Sequence, residues 1–422
     1  MSEQPHFPLQ KLGEIVEVLD HLRIPVNSEA RGKRKGDVPY YGANGLQGWI
    51  DEPLFNEPLI LMAEDGGNFD DFSTRPIAYR IDGPAWVNNH AHIIKVDNPK
   101  LHSFIYWSVA HKDIRKHVAG GTRQKLNQSA LKEIEIPCPP NDEGAVVGKV
   151  LDTLDTQIEQ TEALIAKLEK VKEGLLHDLL TRGIDENGQL RPSPEQAPEL
   201  YKESPLGLIP REWDTHSLST CSLKISDRDH TTPVYVESGF LMVSPVNFFG
   251  YEGIDFDNCK KIPRSAHEKN RKKTDLSIGD VIIHRIGAGL GRVRVVRAGM
   301  PEFSILHSAA QIRPNPNFVT PEYLLWSLRL DSTLMQMELG TQSIGVPDLG
   351  LDKIGGFLIP VAPTSEQIAI SKILSDSQSE LMSLSDNASQ LRNLKSGLMD
   401  DLLTGRVRVT PLLNQAQATT PA

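Results

Sequence analysis

Between Asn141 and Arg182 the positions Leu151, Leu154, Ile158, Thr161, Ile165 and Leu168 are apolar or small and alternate intervals of three and four residues. That is a heptad seam on one long helix, and such a seam buries itself only against another helix. A second run with the same spacing lies further along, at Leu374, Ser377, Leu381, Leu384, Ala388 and Leu391. The ends match as well, Gly174-Leu-Leu-His-Asp-Leu-Leu-Thr181 against Gly397-Leu-Met-Asp-Asp-Leu-Leu-Thr404. The chain is therefore a tandem duplication. Each helix is predicted to run for roughly 40 residues, about 60 Å at ~1.5 Å per residue. Neither is stable alone, so the two are expected to pair antiparallel.

The segments between the helices show a different pattern. In residues 1–140, Val38–Gly45, Leu59–Ala63, Ile77–Ile81 and Ala91–Val96 are short apolar runs closed by turn signals and read as strands, whereas Leu101–Ala110 has helical spacing. Leu131–Pro137 reads as a last strand. Residues 207–363 repeat this outline: Gly279–His284, Gly291–Val296 and His307–Ile312 read as strands and Pro321–Leu330 as a helix. The middles of the two segments diverge in sequence, which suggests one scaffold carrying two recognition surfaces. Residues 183–206, with Gly188, Pro192, Pro194 and Pro198 among polar neighbours, read as a linker. Residues 406–422, rich in Gln, Ala, Thr and Pro towards their end, read as a disordered tail. Thr364-Ser-Glu-Gln367 reads as a capping box opening the second long helix. The expected fold is α+β: two mixed domains (1–140 and 207–363) separated by two long helices (141–182 and 364–405) in an antiparallel coiled coil, with an internal pseudo-two-fold repeat.

Length and charge adjust this picture only slightly. The chain has 422 residues and a net charge of −10, a mild argument against a free-standing nucleic-acid binder. Basic runs nevertheless sit inside the globular segments, at Lys33-Arg34-Lys35, His111–His117, Lys269–Lys273 and Arg292-Val-Arg294. Cys138, Cys221 and Cys259 form neither a disulfide framework nor a metal-ligand spacing. No membrane span and no signal-peptide pattern is visible, so a reducing cytoplasm is the expected compartment.

The sequence carries no convincing catalytic signature. Gly287-Ala-Gly-Leu-Gly291 is followed by a strand pattern and not by the helix whose N-terminus would hold a phosphate, so it reads as a hairpin turn. Glu64–Asp71 fits no cation loop, and the histidines of Asn88-Asn-His-Ala-His92 lack a second ligand pair. Two similar domains related by an approximate dyad suit duplex DNA, where two-fold proteins read two half-sites at a fixed spacing. Side chains able to reach bases or phosphates are Lys33, Arg34, Lys35, Asn88, Asn89, Arg123, Gln124 and Lys125 in the first domain. In the second they are Arg271, Lys272, Lys273, Arg285, Arg292, Arg294 and Gln342.

Five stretches, in this order, resemble the specificity (S) subunit of type I restriction–modification systems. They are Glu57–Gly67, Val87–His92, Gly121–Ser129, Ser204–Trp213 and Gly279–Gly287, and together with the duplicated helices they cover nearly the whole chain. The resemblance implies a prokaryotic, cytoplasmic, non-catalytic subunit with two target-recognition domains, each reading one part of a bipartite asymmetric DNA sequence. It implies two modification (methyltransferase) subunits docked on the helices and restriction (endonuclease and translocase) subunits joining them. No cofactor is expected on this chain; S-adenosylmethionine, ATP and Mg2+ would belong to the partners. The alternative is a specificity subunit of a related methyltransferase or nuclease system lacking the ATP-dependent restriction subunit. A self-contained methyltransferase would need a donor loop and a catalytic motif that the chain lacks, and a protein-only coiled-coil scaffold would show no salt-sensitive, sequence-specific DNA binding.

Overall fold

The computed structural model describes residues 6–120, 124–231, 233–341, 346–411 and 413. The chain divides into two compact units, Met1–Leu164 with Ser385–Ala422, and Ile165–Leu384. The division cuts through both long helices, Asn141–Thr181 and Thr364–Leu398. Each unit thus holds a globular domain together with a piece of each helix, and the boundaries expected at 140 and 363 do not separate compact bodies.

In the first unit an antiparallel sheet has the strand order Val16–Val18, Ala91–Val96, Leu59–Ala63, Ala78–Ile81. Its central strand, Leu59–Ala63, is buried throughout, which explains its unbroken apolar run. Alternate residues face opposite ways. Ile60, Met62 and Ile94 join the core containing the helix His102–Ala110. Leu59, Leu61 and Ile93 pack instead with Phe55, Ala85 and Val87 of a second sheet. That second sheet has Val38–Gly42 parallel to Pro84–Val87 and antiparallel to Gly45–Ile50.

The second unit repeats this design. Its sheet has the order Ser222–Ser226, Ala309–Pro314, Val281–His284, Val293–Val295. Val281, Ile283 and Ile312 face the core around the helix Pro321–Ser327, while Ile282 faces the core of Val243, Phe303 and Ile305. Phe240–Val243 lies parallel to Phe303–Ile305 and antiparallel to Lys260–Ile262. The middles that diverge in sequence therefore share one topology. They differ in what is added to it: a helix Ser28–Lys33 in the first, a helix Arg264–Arg271 and a hairpin at Phe248–Ile254 in the second.

Within each unit the two helix pieces run antiparallel. In the first, Asp155 pairs with Lys395 and Glu162 with Arg392, one number rising as the other falls. In the second, Lys172 occupies the seam position after Leu168 and donates to Gln378 at 2.7 Å. Gln378 lies deeper than the expected Ser377.

Four expectations change. The stretch 183–206 is not a free linker. Ile184 and Tyr201 are buried, Tyr201–Ser204 forms a hairpin with Gly207–Pro210, and Arg191 is ion-paired to Glu366. Polar groups hold it where apolar ones are too few. The tail likewise begins later than 406, because Val409 is buried and its amide donates to Glu143 Oε1 at 3.0 Å, beside the Arg408–Glu143 ion pair. Gln367 makes no capping box: its side chain accepts from the Thr320 amide at 2.9 Å and donates to the carbonyls of Phe318 and Ala362. Leu131–Pro137 is the end of a short helix, Gln128–Lys132, before a shorter strand, Glu135–Pro137.

Candidate nucleic-acid interface

The first unit disperses its candidates. Lys33 ends the helix Ser28–Lys33 and is exposed, paired with Glu29 one turn back. Arg34 is bound by Asp51 and Glu52 and lies over the Trp86 ring, so it braces a loop. Lys35 is exposed, with no ion-pair partner among the described residues. Asn88 is buried, donating to Gln47 Oε1 at 3.1 Å and accepting from the His90 amide at 2.8 Å. It shapes the turn between two strands and is withdrawn from solvent, which corrects its place in the DNA-facing set. Its neighbour Asn89 is exposed. Gln124 donates to Asp70 at 2.9 Å, and Lys125 pairs with Glu64 at 2.9 Å. Arg123 lies outside the described residues.

The second unit corrects more of the reading. Arg285, 4% exposed, donates to the carbonyls of Leu349 and His307 and to the carboxylates of Asp227 and Asp348. Arg294, 2% exposed, donates to the carbonyls of Gly253, Phe249, Gly250 and Val293. Burial pushes its guanidinium down to about 10, with the nearby Arg329 and Arg292 adding to the effect. Arg292 holds the carbonyls of Gly289, Phe248 and Pro245. These three side chains tie loops to the sheet, and their donors are already satisfied, so they are not offered to a base edge.

The exposed candidates of this unit lie at the end of the helix Arg264–Arg271 and just beyond it. Arg271 pairs with Glu302 at 2.9 Å, Lys273 pairs with Asp229, and Lys272 is exposed with no ion-pair partner among the described residues. Such exposed pairs contribute little to stability and are readily exchanged for phosphate. Gln342 lies outside the described residues.

One cluster was missed at the level of sequence because its members are distant along the chain. Asp20, Glu64 and His92 bring ligand-type atoms within 4.8 Å of one another. A cation would find the site already neutralised. Arg23 pairs with Glu64 at 2.6 Å and reaches Asp20, Lys125 pairs with Glu64, and the His92 ring nitrogens bond Asp20 Oδ2 at 2.6 Å and the Leu126 carbonyl at 2.8 Å. Burial opposes ionisation of Glu64, but hydrogen bonds from Lys125 and Arg23 outweigh it and hold the carboxyl below its ordinary range. The cluster is a junction between three chain segments. His90 stands beside it, bonded to Asp65 at 2.7 Å.

The turn Gly287–Gly291 is the expected hairpin. It joins Val281–His284 to Val293–Val295 and passes through positive φ at Gly287, Gly289 and Gly291, conformations that favour glycine. His284 lies beneath it, its two ring nitrogens bonded to the Gly289 and Ile286 carbonyls. No helix among the described residues is long and apolar enough to cross a membrane.

Residues 8–170 match the family described as the type I restriction modification DNA specificity domain. A Haemophilus influenzae protein named as the type I restriction enzyme specificity subunit S.HindORF215P is 31% identical over 144 residues. That alignment spans 34% of this chain and 36% of the relative, so this chain matches about a third of its length. The type I restriction enzyme MjaVIII specificity subunit of Methanocaldococcus jannaschii is 22% identical over 320 residues, 73% of this chain and 71% of the relative. Among solved structures, the type I restriction–modification S subunit from M. genitalium has the same fold, with a TM-score of 0.64 at 16% identity, covering 96% of this chain and 97% of that one.

Proposed function

We propose that this chain, which is related to the specificity subunits of type I restriction–modification systems, reads a bipartite asymmetric DNA sequence and performs no catalysis itself. Each unit reads one part of the target. The exposed residues Lys33, Lys35, Asn89 and Lys125 and the half-buried Gln124 serve the first unit, and the exposed Arg271, Lys272 and Lys273 the second, together with Arg123 and Gln342. Two methyltransferase subunits dock on the paired helices, and restriction subunits join that assembly. S-adenosylmethionine, ATP and Mg2+ are bound by those partners, in the cytoplasm of a prokaryote.

The observation that carries this reading is the repeated two-sheet topology, each copy built on antiparallel helix pieces and each surfaced with different side chains. One scaffold used twice with different surfaces suits a target whose two parts differ. The test is domain exchange. Replacing residues 184–363 with the corresponding segment of a relative of different specificity, in complex with the methyltransferase subunits, should change one half of the methylated motif and leave the other half intact. A change in both halves, or in neither, would refute the assignment of one half to each unit. The exchanged segment has to include 184–206, because that stretch is built into the second unit.

A further inference from the structure

In the second unit the loop that leaves the outer strand Ser222–Ser226 buries a charge without a counter-charge. Arg228 is 5% exposed. Its guanidinium donates only through Nη2, to the Thr231 carbonyl at 3.0 Å and the Thr231 hydroxyl at 3.4 Å. Nε and Nη1 are closed off from water and have no acceptor among the described residues. The neighbouring carboxylates are taken. Asp227 is bonded to His230 at 3.0 Å and to Arg285 at 3.1 Å, and Asp229 pairs with Lys273 and, at 3.5 Å, with Lys269. Burial pushes the Arg228 guanidinium down from its ordinary value, with Tyr235 and Asp229 opposing, but an arginine does not give up its proton. Arg285 and Arg294 are as deeply buried, yet each has an acceptor at every guanidinium nitrogen. Arg329 also leaves one nitrogen bare, but it lies over the Tyr251 ring at 3.8 Å and 4.0 Å from Glu252.

A second unsatisfied group stands beside it. His307 lies two residues before the strand Ala309–Pro314, and its Nδ1 is buried without a partner. The ring stacks on the exposed His230, centroids 4.9 Å apart. Burial lowers the affinity of His307 for a proton, and the charges of His230, Arg228 and Arg285 lower it further, with Asp227 opposing. The matching place in the first unit, two residues before the strand Ala91–Val96, is held by Asn89, one of the exposed side chains assigned to DNA. In both units an arginine donates to the carbonyl at that place, Arg23 to Asn89 at 3.4 Å and Arg285 to His307 at 3.1 Å. The loop also adjoins the exposed basic end that carries Lys272. The Ser226 hydroxyl donates to the Lys273 carbonyl at 2.9 Å, and Asp229 holds Lys269 and Lys273.

We propose that Arg228, with His307 and His230 beside it, is a binding site for one backbone phosphate of the DNA held by the second unit. Buried charges are ordinarily paired, and one left unpaired is costly. An arriving phosphodiester removes that cost, because its two free oxygens match the planar fork of a guanidinium. Only the exposed Thr231 holds the guanidinium among the described residues, so a shift of that residue turns Nε and Nη1 towards the phosphate. His307 Nδ1 supplies a further donor once its ring is protonated. The contact is to the backbone and carries no base preference, so it anchors the unit on the duplex and leaves sequence reading to other side chains. The proposal rests on the DNA-reading function given above.

The experiment has two parts. In the first, the full chain is assembled with its methyltransferase partner, and affinity is measured for the cognate duplex and for duplexes altered in either half. Arg228→Met should weaken binding of all of them alike, by about tenfold, the scale of one charge-assisted hydrogen bond. The slope of log affinity against log salt should fall by about one. The urea midpoint of the variant chain should not fall, since an unpaired buried charge has been replaced by an apolar side chain of similar length. A lowered midpoint or failure to fold would overturn the proposal, because the guanidinium would then be satisfied by the protein itself. Unchanged affinity and salt slope would overturn it too, as would a loss confined to one base pair, which would mark a base contact. In the second part, dimethyl phosphate, a phosphodiester that does not titrate near neutrality, is added to the full chain without DNA. It should shift the His307 imidazole resonances and raise the pH at which they titrate, since an anion favours the charged ring. Sodium chloride at equal ionic strength should do neither, and Arg228→Met should abolish the response. No response, or one equalled by sodium chloride, would overturn the site. An unmodified assembly that binds every duplex alike would defeat the DNA-reading function, whereas the dimethyl phosphate titration would still uphold or overturn the anion site by itself.

Discussion

An arginine cannot shed its charge in a protein and carries five donors in a fixed fork, so a buried one must find acceptors in several directions at once. Arg294 does so through four backbone carbonyls. Arg294→Met should therefore lower the stability of the second unit by about 3 kcal/mol, because those carbonyls lose a charged donor at a site closed to water. Lys272→Ala should behave in the opposite manner. It should leave the denaturation midpoint in place and reduce the slope of log affinity against log salt by about one, as expected for one lost phosphate contact. Urea titration and salt-dependent binding of the two variants would check both outcomes. In the sequence these residues look alike, each a basic residue in a basic run. Arg294 follows from strand alternation once the sheet is known, whereas Lys272 caps a surface helix. What distinguished them was the hairpin Phe248–Ile254 folded over the sheet, whose carbonyls receive the guanidinium. No local pattern announces that cover.

At the scale of elements the heptad seam was legible because its period is geometric and needs no knowledge of the partner's depth. Its polar layers were less so. Lys172 bonds Gln378, and at the matching positions of the repeat Lys395 pairs with Asp155. Each lysine also sits over an aromatic ring of the adjoining domain, Tyr251 at 3.8 Å and Trp107 at 4.1 Å. These contacts pin the helix pieces to the domains, and a polar residue in a seam fixes register at some cost in stability. Lys172→Leu combined with Gln378→Leu should raise the unfolding free energy by about 1–2 kcal/mol, since two desolvated polar groups give way to an apolar layer. A lower midpoint in chemical denaturation would contradict this and show that the contact with Tyr251 outweighs the desolvation cost. The segment 183–206 was misread for the complementary reason: its anchors are Arg191, Glu366 and the Trp213 indole, which donates to Glu366 at 2.9 Å. Apolar content does not register such anchors.

For the molecule as a whole the repeat closes through two matching carboxylates in the first turns of the long helices. Glu366 receives the Ile184 amide at 2.8 Å and pairs with Arg191, both from the chain that leaves the first helix. Glu143 receives the Val409 amide and pairs with Arg408, both from the chain that leaves the second. Each unit is therefore completed by a segment that follows the other half's helix. The Arg408 hydrogen bond, helped by the Val409 amide and opposed by burial, holds the Glu143 carboxyl below its ordinary range. A carboxyl depressed in the native state stabilises it fully above its unfolded value, about 4.3, and loses that contribution as pH falls through the lower native value. Glu143→Gln should thus cost about 2 kcal/mol at pH 7, and the gap to the original chain should close below about pH 4. A gap that persists in acid would show that the clamp acts through shape and not through charge.

The duplication, the seam, the main strands and the basic runs were determined by the sequence itself, because periodicity and composition are local and survive reading one residue at a time. The resemblance to the specificity subunits was legible for the same reason, carried by short stretches in a fixed order. Burial and charge pairing belonged to the tertiary structure alone. It withdrew Asn88, Arg285, Arg292 and Arg294 from the reading surface and drew 183–206 and Val409 into the units. These depend on which distant group arrives beside a side chain, and the free energy of a charge is decided by that neighbour and by the water it excludes.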